Sequence, residues 1–191
     1  GLTLQEKIGQ LVQYTGGWST GPAGRSINQE QRTIIKAGMA GSLLNVYGST
    51  VTRDLQRIAV EESRARIPLI FGLDVIHGFK TTFPIPLAEA ATWEAGAVEL
   101  SARVSAAEAS SSGMHWTFAP MVDIARDPRW GRIAEGSGED PYLGSVMAAA
   151  RVRGFQGRDL TDPGAIMACA KQYAAYGGAE GGMDYNTVDI S

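Results

Sequence analysis

Short apolar runs alternate with longer amphipathic segments along most of this chain, and this alternation constrains the fold more than any other feature. The runs are too short for typical helices and are apolar almost throughout, as in strands that are covered on both faces. The order of strand, helix and strand predicts an α/β protein with a parallel sheet. We expect strands at residues 42–46, 69–73, 116–119 and 166–170, and helices at residues 52–63, 95–112 and 141–156.

A helix is also predicted at the start of the chain. Thr3 and Glu6 have the spacing of a capping box, in which each side chain bonds the other residue's backbone amide. Apolar residues then recur at helical intervals, so we expect one face of this helix to be buried and the helix to end before Gly16. The residues of that face are Leu4, Ile8, Leu11 and Val12.

Polar residues stand at or just past the ends of the four predicted strands. They are Asn45, Asp74, Asp123 and Lys171. The carboxyl ends of parallel strands meet at one edge of a sheet, which is where α/β proteins bind ligands. These side chains are therefore predicted to share one rim.

The chain length limits how much of a barrel these elements can form. A closed eight-stranded (β/α)8 barrel typically needs about 250 residues, whereas this chain has 191 residues and about four βα units. An open four-stranded sheet would leave two unpaired edges, which proteins normally cover. We therefore predict the first half of a TIM-type (β/α)8 barrel, continued in a longer polypeptide or completed by a partner.

Composition excludes several classes of function. The net charge is −3 and charges of both signs are mixed along the chain, which argues against a nucleic-acid partner. No segment approaches the roughly 20 apolar residues needed to span a bilayer, so no membrane partner is expected. Cys169 is the single cysteine, and the two histidines lack carboxylates at ligand spacing, so neither a disulfide nor a metal site is expected.

An unusually long connection follows the third predicted strand. Residues 118–141 read FAPMVDIARDPRWGRIAEGSGEDP, with arginines and carboxylates interleaved. A loop of this length is uncommon unless it serves a function. Arginine and carboxylate side chains can fix one another and leave a few aimed at a ligand, although each alone could belong to a solvated ion network.

Three separated segments resemble family 3 glycoside hydrolases, and most closely the periplasmic bacterial β-glucosidases. The segments are RIPLIFGLDVIHG, the long loop FAPMVDIARDPRWGRIAEGSGEDPYLG, and MACAKQYAAYGGAEGGMDYNTVDIS. They occur in the order and approximate spacing of that family, and the resemblance covers essentially the whole chain. It implies an exo-acting retaining β-glycosidase, most simply a β-glucosidase without a cofactor, located in the periplasm or secreted.

The resemblance also implies a set of substrate-binding residues. Asp74 resembles the acceptor for the outer hydroxyls of the terminal sugar, while Arg132 and Lys171 resemble cationic donors on its other side. Gln172 stands where the family usually has His. A Gln side chain can both donate to and accept from hydroxyls, but it does not titrate.

The nucleophile and the acid/base of the family both lie beyond the equivalent of residue 191, so no catalytic residue is assigned within this chain. This segment alone is predicted to be inactive. The alternative is a catalytically silent carbohydrate-binding or interaction protein, because the nucleophile is missing and Gln172 replaces His.

Other residues receive mainly structural interpretations. Arg129 is predicted to pair with Asp127 inside the loop, and the two histidines, His77 and His115, are predicted to support packing. Trp130 and Trp18 could stack against a sugar face, but aromatic residues in such loops belong more often to the core, and we expect that position for both. The loop residues next to the predicted sugar pocket are expected to contact the residues that line it and not the sugar itself. They are Asp184, Tyr185 and Asn186.

Overall fold

The computed structural model describes residues 1–16 and 27–190. Helices and strands alternate along the chain. The helices are α1 (Leu4–Gly9), α2 (Gln29–Lys36), α3 (Ser49–Arg57), α4 (Pro86–Ala90), α5 (Ala95–Ser111) and α6 (Pro141–Gln156). The strands are β1 (Gln13–Thr15), β2 (Ser42–Leu44), β3 (Ile70–Leu73) and β4 (Trp116–Thr117).

The four strands form one sheet in the order β1-β2-β3-β4. β1 pairs with β2 and β2 with β3 in parallel, with Leu43 opposite both Tyr14 and Phe71. Leu43 and Phe71 are fully buried, as expected for strands that are covered by helices on both faces. The predicted α/β class with parallel strands is therefore confirmed.

Two details of the strand prediction were wrong. β1 was not predicted, because its residues were assigned to the end of the first helix. Residues 166–170 form no regular strand, although they run beside the segment that contains β4. There Thr117 N donates to Met167 O at 2.9 Å and Cys169 N donates to Ala119 O at 2.9 Å. The two segments are therefore neighbours, as predicted, but they are joined by separate hydrogen bonds and not by a regular strand pairing.

The capping box of α1 is present, since Glu6 N bonds the Thr3 hydroxyl and Thr3 N bonds the Glu6 carboxylate. The predicted core face is inverted, however. Leu4, Ile8 and Leu11 are exposed, whereas Glu6 and Gly9 are buried. The cause is a close backbone approach, because a Cβ on Gly9 would lie 2.6 Å from the carbonyl oxygen of Gly38.

Contacts divide the chain into two compact units, Gly1–Asp74 with Ser110–Trp116 and Val75–Ala109 with Thr117–Ser191. In the first unit, Glu6 forms an ion pair with Arg64, and this contact lowers the pKa of Glu6 to about 2. The buried apolar residues of this unit include Ile35, Leu55 and Phe71.

The second unit is built on α5 and α6. Helix α6 begins at Pro141 because the carboxylate of Asp140 accepts a hydrogen bond from Leu143 N at 2.6 Å. It ends at Gln156, so the predicted bounds are confirmed. Its buried residues Met147 and Ala150 pack with Ala90 and Val98.

Beside this cluster, Arg151 pairs with Glu89, and both side chains are more than nine-tenths buried. None of the described helices is long and apolar enough to cross a membrane.

Candidate functional site

The long loop before α6 is anchored by a buried tryptophan. Trp130 is 2% exposed and packs with Met121 and Ala125. Its indole Nε1 donates a hydrogen bond to Asp184 Oδ1 at 2.6 Å, and the ring of Tyr176 meets it edge-on at 5.4 Å. The core position predicted for Trp130 is found, whereas the predicted role of Asp184 in supporting a sugar pocket stays a prediction.

One carboxylate in this loop, that of Glu135, contacts two positively charged side chains. Arg132 Nε donates to Glu135 Oε1 at 2.6 Å, and Arg132 Nη2 donates to Glu135 Oε2 at 2.9 Å. Lys171 Nζ lies 3.0 Å from the same Oε2. The turn Ile133–Glu135 sets the three-residue spacing that makes the paired bonds possible. The structure thus brings two of the predicted substrate-binding residues, Arg132 and Lys171, into one cluster.

The cluster is sheltered from solvent. The exposed fractions of the Arg132, Glu135 and Lys171 side chains are 28%, 23% and 12%. Desolvation acts to raise the pKa of Glu135, but the hydrogen bonds from Arg132 and Lys171 outweigh it and leave the pKa below its ordinary value. The guanidinium of Arg132 also lies 5.9 Å from the ring centre of Tyr176, and its bonds to Glu135 raise its own pKa.

A second carboxylate fixes the chain beyond Lys171. Asp123 is 4% exposed, and its two oxygens accept hydrogen bonds from Gln172 N at 2.9 Å and Gly177 N at 3.4 Å. The side-chain oxygen Oε1 of Gln172 is buried and has no protein hydrogen-bond partner among the described residues. A buried acceptor of this kind is costly unless a donor satisfies it.

Asp74, the remaining predicted substrate-binding residue, directly follows β3. It is exposed and belongs to the first compact unit, whereas Arg132, Lys171 and Gln172 belong to the second. The convergence of Asp74 with the two cations therefore stays a prediction.

The residues that were given structural interpretations have such contacts. Arg129 Nη2 lies 2.6 Å from Asp127 Oδ2, and this pairing lowers the pKa of Asp127 to about 2. His77 Nδ1 lies 3.0 Å from Phe83 O. His115 Nδ1 accepts a hydrogen bond from Phe71 N at 3.2 Å. Trp18 lies outside the described residues.

Sequence reasoning missed two participants, Glu135 and Tyr176. Glu135 was treated as one loop charge among several, although the Arg-x-x-Glu spacing from Arg132 was a usable signal for the paired contact. No sequence pattern indicated a role for Tyr176, because its position between Arg132 and Trp130 depends on contacts between distant segments.

The cluster has the chemistry of a site for hydroxyl groups. Glu135 uses two donor atoms of Arg132, and the planar guanidinium has further N–H donors whose directions are fixed. No group of His, Cys, Asp and Glu suited to a metal ion occurs in the described ranges. The fold and the site define an α/β protein that presents a pre-organised pair of cationic donors beside a buried amide acceptor.

Comparison with known proteins identifies the family. The chain belongs to family 3 of the glycoside hydrolases, because the family model of the glycosyl hydrolase family 3 N terminal domain matches residues 3–191. A periplasmic beta-glucosidase of Salmonella typhimurium is 44% identical over 190 residues, which cover 100% of this chain and 24% of that protein. A putative beta-xylosidase of Formosa agariphila is 31% identical over 205 residues, covering 100% of this chain and 27% of that protein.

Comparison with solved structures supports the same family assignment. The beta-glucosidase of Listeria innocua matches with a TM-score of 0.87 and 40% identity, covering 100% of this chain and 28% of that one, in complexes with laminaribiose and with glucose. The N-terminal domain of such neighbours is of the TIM-barrel type, which confirms the predicted barrel class. The chain spans about a quarter of the length of these relatives.

Proposed function

We propose that this chain is the N-terminal portion of the catalytic barrel of an exo-acting retaining β-glycosidase, and that the complete protein is a β-glucosidase. Its substrates would be the terminal non-reducing β-D-glucosyl residues of β-glucosides or oligosaccharides. The cluster of Arg132, Glu135 and Lys171 is the observation that supports this proposal. It holds the N–H donors of Arg132 and Lys171 together in a position that is sheltered from solvent, where they could bind sugar hydroxyls. The names of the Salmonella and Listeria relatives support the β-glucosidase activity.

The proposed division of labour follows from the residues present. Arg132 and Lys171 donate to hydroxyls on one side of the sugar, Asp74 accepts from hydroxyls on another, and the buried oxygen of Gln172 accepts from a further one. Binding alone does not lower the barrier, because a retaining glycosidase needs one carboxylate to attack the anomeric carbon and a second to protonate the leaving group. Both carboxylates are proposed to lie outside residues 1–191, in the rest of the barrel and a second domain, supplied in cis or in trans.

A periplasmic or secreted location is part of the proposal, and the name of the Salmonella relative supports it. The rival function is a silent carbohydrate-binding protein, motivated by Gln172 in place of the usual His.

The deciding experiment compares the complete protein with the 191-residue chain on an aryl β-glucoside. The complete protein should release the phenol and form the β-anomer of glucose first, as seen by NMR, while the 191-residue chain should release none. Asp74→Ala in the complete protein should lower kcat/KM by at least about 100-fold, because hydrogen bonds to sugar hydroxyls strengthen in the transition state. Glucose binding without phenol release by the complete protein would instead support the silent binding protein.

A further inference from the structure

A tyrosine ring lies against the guanidinium of Arg132. The ring centre of Tyr176 is 5.9 Å from Arg132 Cζ, a distance at which the face of an aromatic ring attracts a cation. The same ring meets that of Trp130 edge-on, with 5.4 Å between the ring centres and an angle of 85° between the planes. Because Trp130 is 2% exposed, Tyr176 joins Arg132 to a side chain of the core.

The backbone next to Tyr176 is also fixed. Gly177 N donates to the buried carboxylate of Asp123 at 3.4 Å, and Gly177 O accepts a hydrogen bond from Arg126 N at 3.1 Å. A side chain at position 177 would not fit, since its Cβ would lie 2.3 Å from the carbonyl oxygen of Ile124. The position of the Tyr176 ring is therefore set by contacts other than the one with Arg132.

Glu135 and Tyr176 act on different parts of Arg132. Glu135 bonds one edge of the guanidinium, through Nε and Nη2, whereas the Cζ atom lies over the ring of Tyr176. Two bonds along one edge still allow the guanidinium to tilt, because the Glu135 side chain can move with it. An aromatic ring packed against the guanidinium opposes that tilt, and arginine is well suited to such a contact.

The ring of Tyr176 makes these contacts, and the hydroxyl does not. The hydroxyl oxygen is buried and has no protein hydrogen-bond partner in the described ranges. Removal of a buried hydroxyl without a partner costs little, whereas removal of the ring would take away the contact with Arg132. The contributions of the ring and of the hydroxyl can therefore be measured separately.

We propose that Tyr176 is a positioning residue, whose ring holds the guanidinium of Arg132 so that the N–H groups not used by Glu135 keep one direction toward a sugar hydroxyl. The inference rests on the proposed function, in which Arg132 binds the terminal sugar. Hydrogen bonds weaken steeply when donor and acceptor are misaligned, so a tilted guanidinium binds the sugar poorly. Tyr176 acts through Arg132 and does not itself contact the substrate.

The test is a double-mutant cycle in the complete protein, measured as kcat/KM on an aryl β-glucoside. Tyr176→Leu keeps an apolar side chain but removes the ring, and should lower kcat/KM about fivefold to thirtyfold when Arg132 is present. In the Arg132→Ala background, the same substitution should change kcat/KM by less than about twofold, because the residue through which Tyr176 acts is absent. Tyr176→Phe keeps the ring and should retain at least about half of kcat/KM.

Phe155→Leu is the matched control for the loss of an aromatic ring. Phe155 is 1% exposed and lies near the end of α6, in the same compact unit as Tyr176. This variant should lower the free energy of unfolding, as Tyr176→Leu should, but leave kcat/KM unchanged. Lower stability alone does not redirect the donors of Arg132.

Equal effects of Tyr176→Leu with and without Arg132 would overturn the inference, because the ring would then support the fold and not act through Arg132. A loss with Tyr176→Phe as large as that with Tyr176→Leu would also overturn it, since the hydroxyl would then be the group in use. If the complete protein bound glucose but hydrolysed no glucoside, the proposed activity would fail. The same cycle, measured by calorimetry as the Kd for glucose, would then decide the role of Tyr176, whereas no glucose binding by the unsubstituted protein would refute both.

Discussion

Replacing Glu135 by Gln tests whether one carboxylate organises the donor pair. The substitution preserves size but removes the charge and turns one acceptor oxygen into a donor, which then faces Arg132 or Lys171. At least one charge-assisted hydrogen bond is lost, and the Lys171 side chain, which is 12% exposed, loses its contact with the carboxylate at 3.0 Å. We expect Glu135→Gln to lower the free energy of unfolding by about 2–3 kcal/mol.

The matched control is Glu99→Gln, which breaks an ion pair to Arg153 whose side chains are 42% and 56% exposed. Exposed pairs contribute about 0–1 kcal/mol, so urea denaturation should separate the two variants clearly.

The pH dependence of the contribution of Glu135 to stability has a defined sign. The folded-state pKa of Glu135 is below its ordinary value of 4.5, so its contribution is complete above that value and is lost as the pH falls through the lower, folded-state pKa.

The difference between the unsubstituted protein and Glu135→Gln should therefore shrink in acid. Equal costs for the two variants at neutral pH, or a cost of Glu135→Gln that stays the same down to the acid range, would refute the organising role. In the complete enzyme, the same variant should lower kcat/KM, since misdirected donors cannot follow the sugar hydroxyls.

Three further predictions concern stability. Asp123→Ala should cost about 2–3 kcal/mol in urea denaturation, because two backbone amides lose their buried acceptor; a cost near zero would mean that water replaces the carboxylate. Gly113→Ala should cost about 2–4 kcal/mol by the same assay, since Gly113 has a φ of 87° and its Cβ would lie 2.1 Å from Thr52 Oγ1; an unchanged midpoint would contradict this. Burial lowers the pKa of His115, so its contribution is present above about pH 6.5 and is lost as the pH falls. His115→Asn keeps an acceptor for Phe71 N and should reduce that loss of stability, whereas an unchanged acid profile would show that His115 does not titrate in this range.

The long amphipathic elements were predictable from the sequence because their signals are local. Asp140 and Pro141 determine the start of α6 through a side-chain cap and a fixed φ, and its predicted end agrees with the structure. The face of α1 was not predictable by the same logic. Its orientation is set by the close approach of Gly9 to the backbone at Gly38 and by the ion pair of Glu6 with Arg64, both of which are contacts over long sequence distances.

The candidate site shows the same limit. The family resemblance identified Arg132 and Lys171, and the structure brings them together. The resemblance did not predict the carboxylate of Glu135 between them or the stacking of Tyr176 beneath Arg132. The i,i+3 spacing could have indicated the pairing of Glu135 with Arg132, but its contact with Lys171 and the position of Tyr176 are determined by tertiary packing.

The buried pair of Arg151 and Glu89 restricts how this protein can change during evolution. Each side chain is more than nine-tenths buried, and Arg151 Nη1 also donates to Ile76 O at 3.2 Å. Removal of either partner alone would strand a buried charge at a cost of about 3–5 kcal/mol, whereas joint replacement by two apolar residues of similar volume would strand no charge and would remove only the donor to Ile76 O. A lineage can therefore leave this arrangement only by passing through a poorly folded intermediate, so the two positions are expected to be retained together or exchanged together.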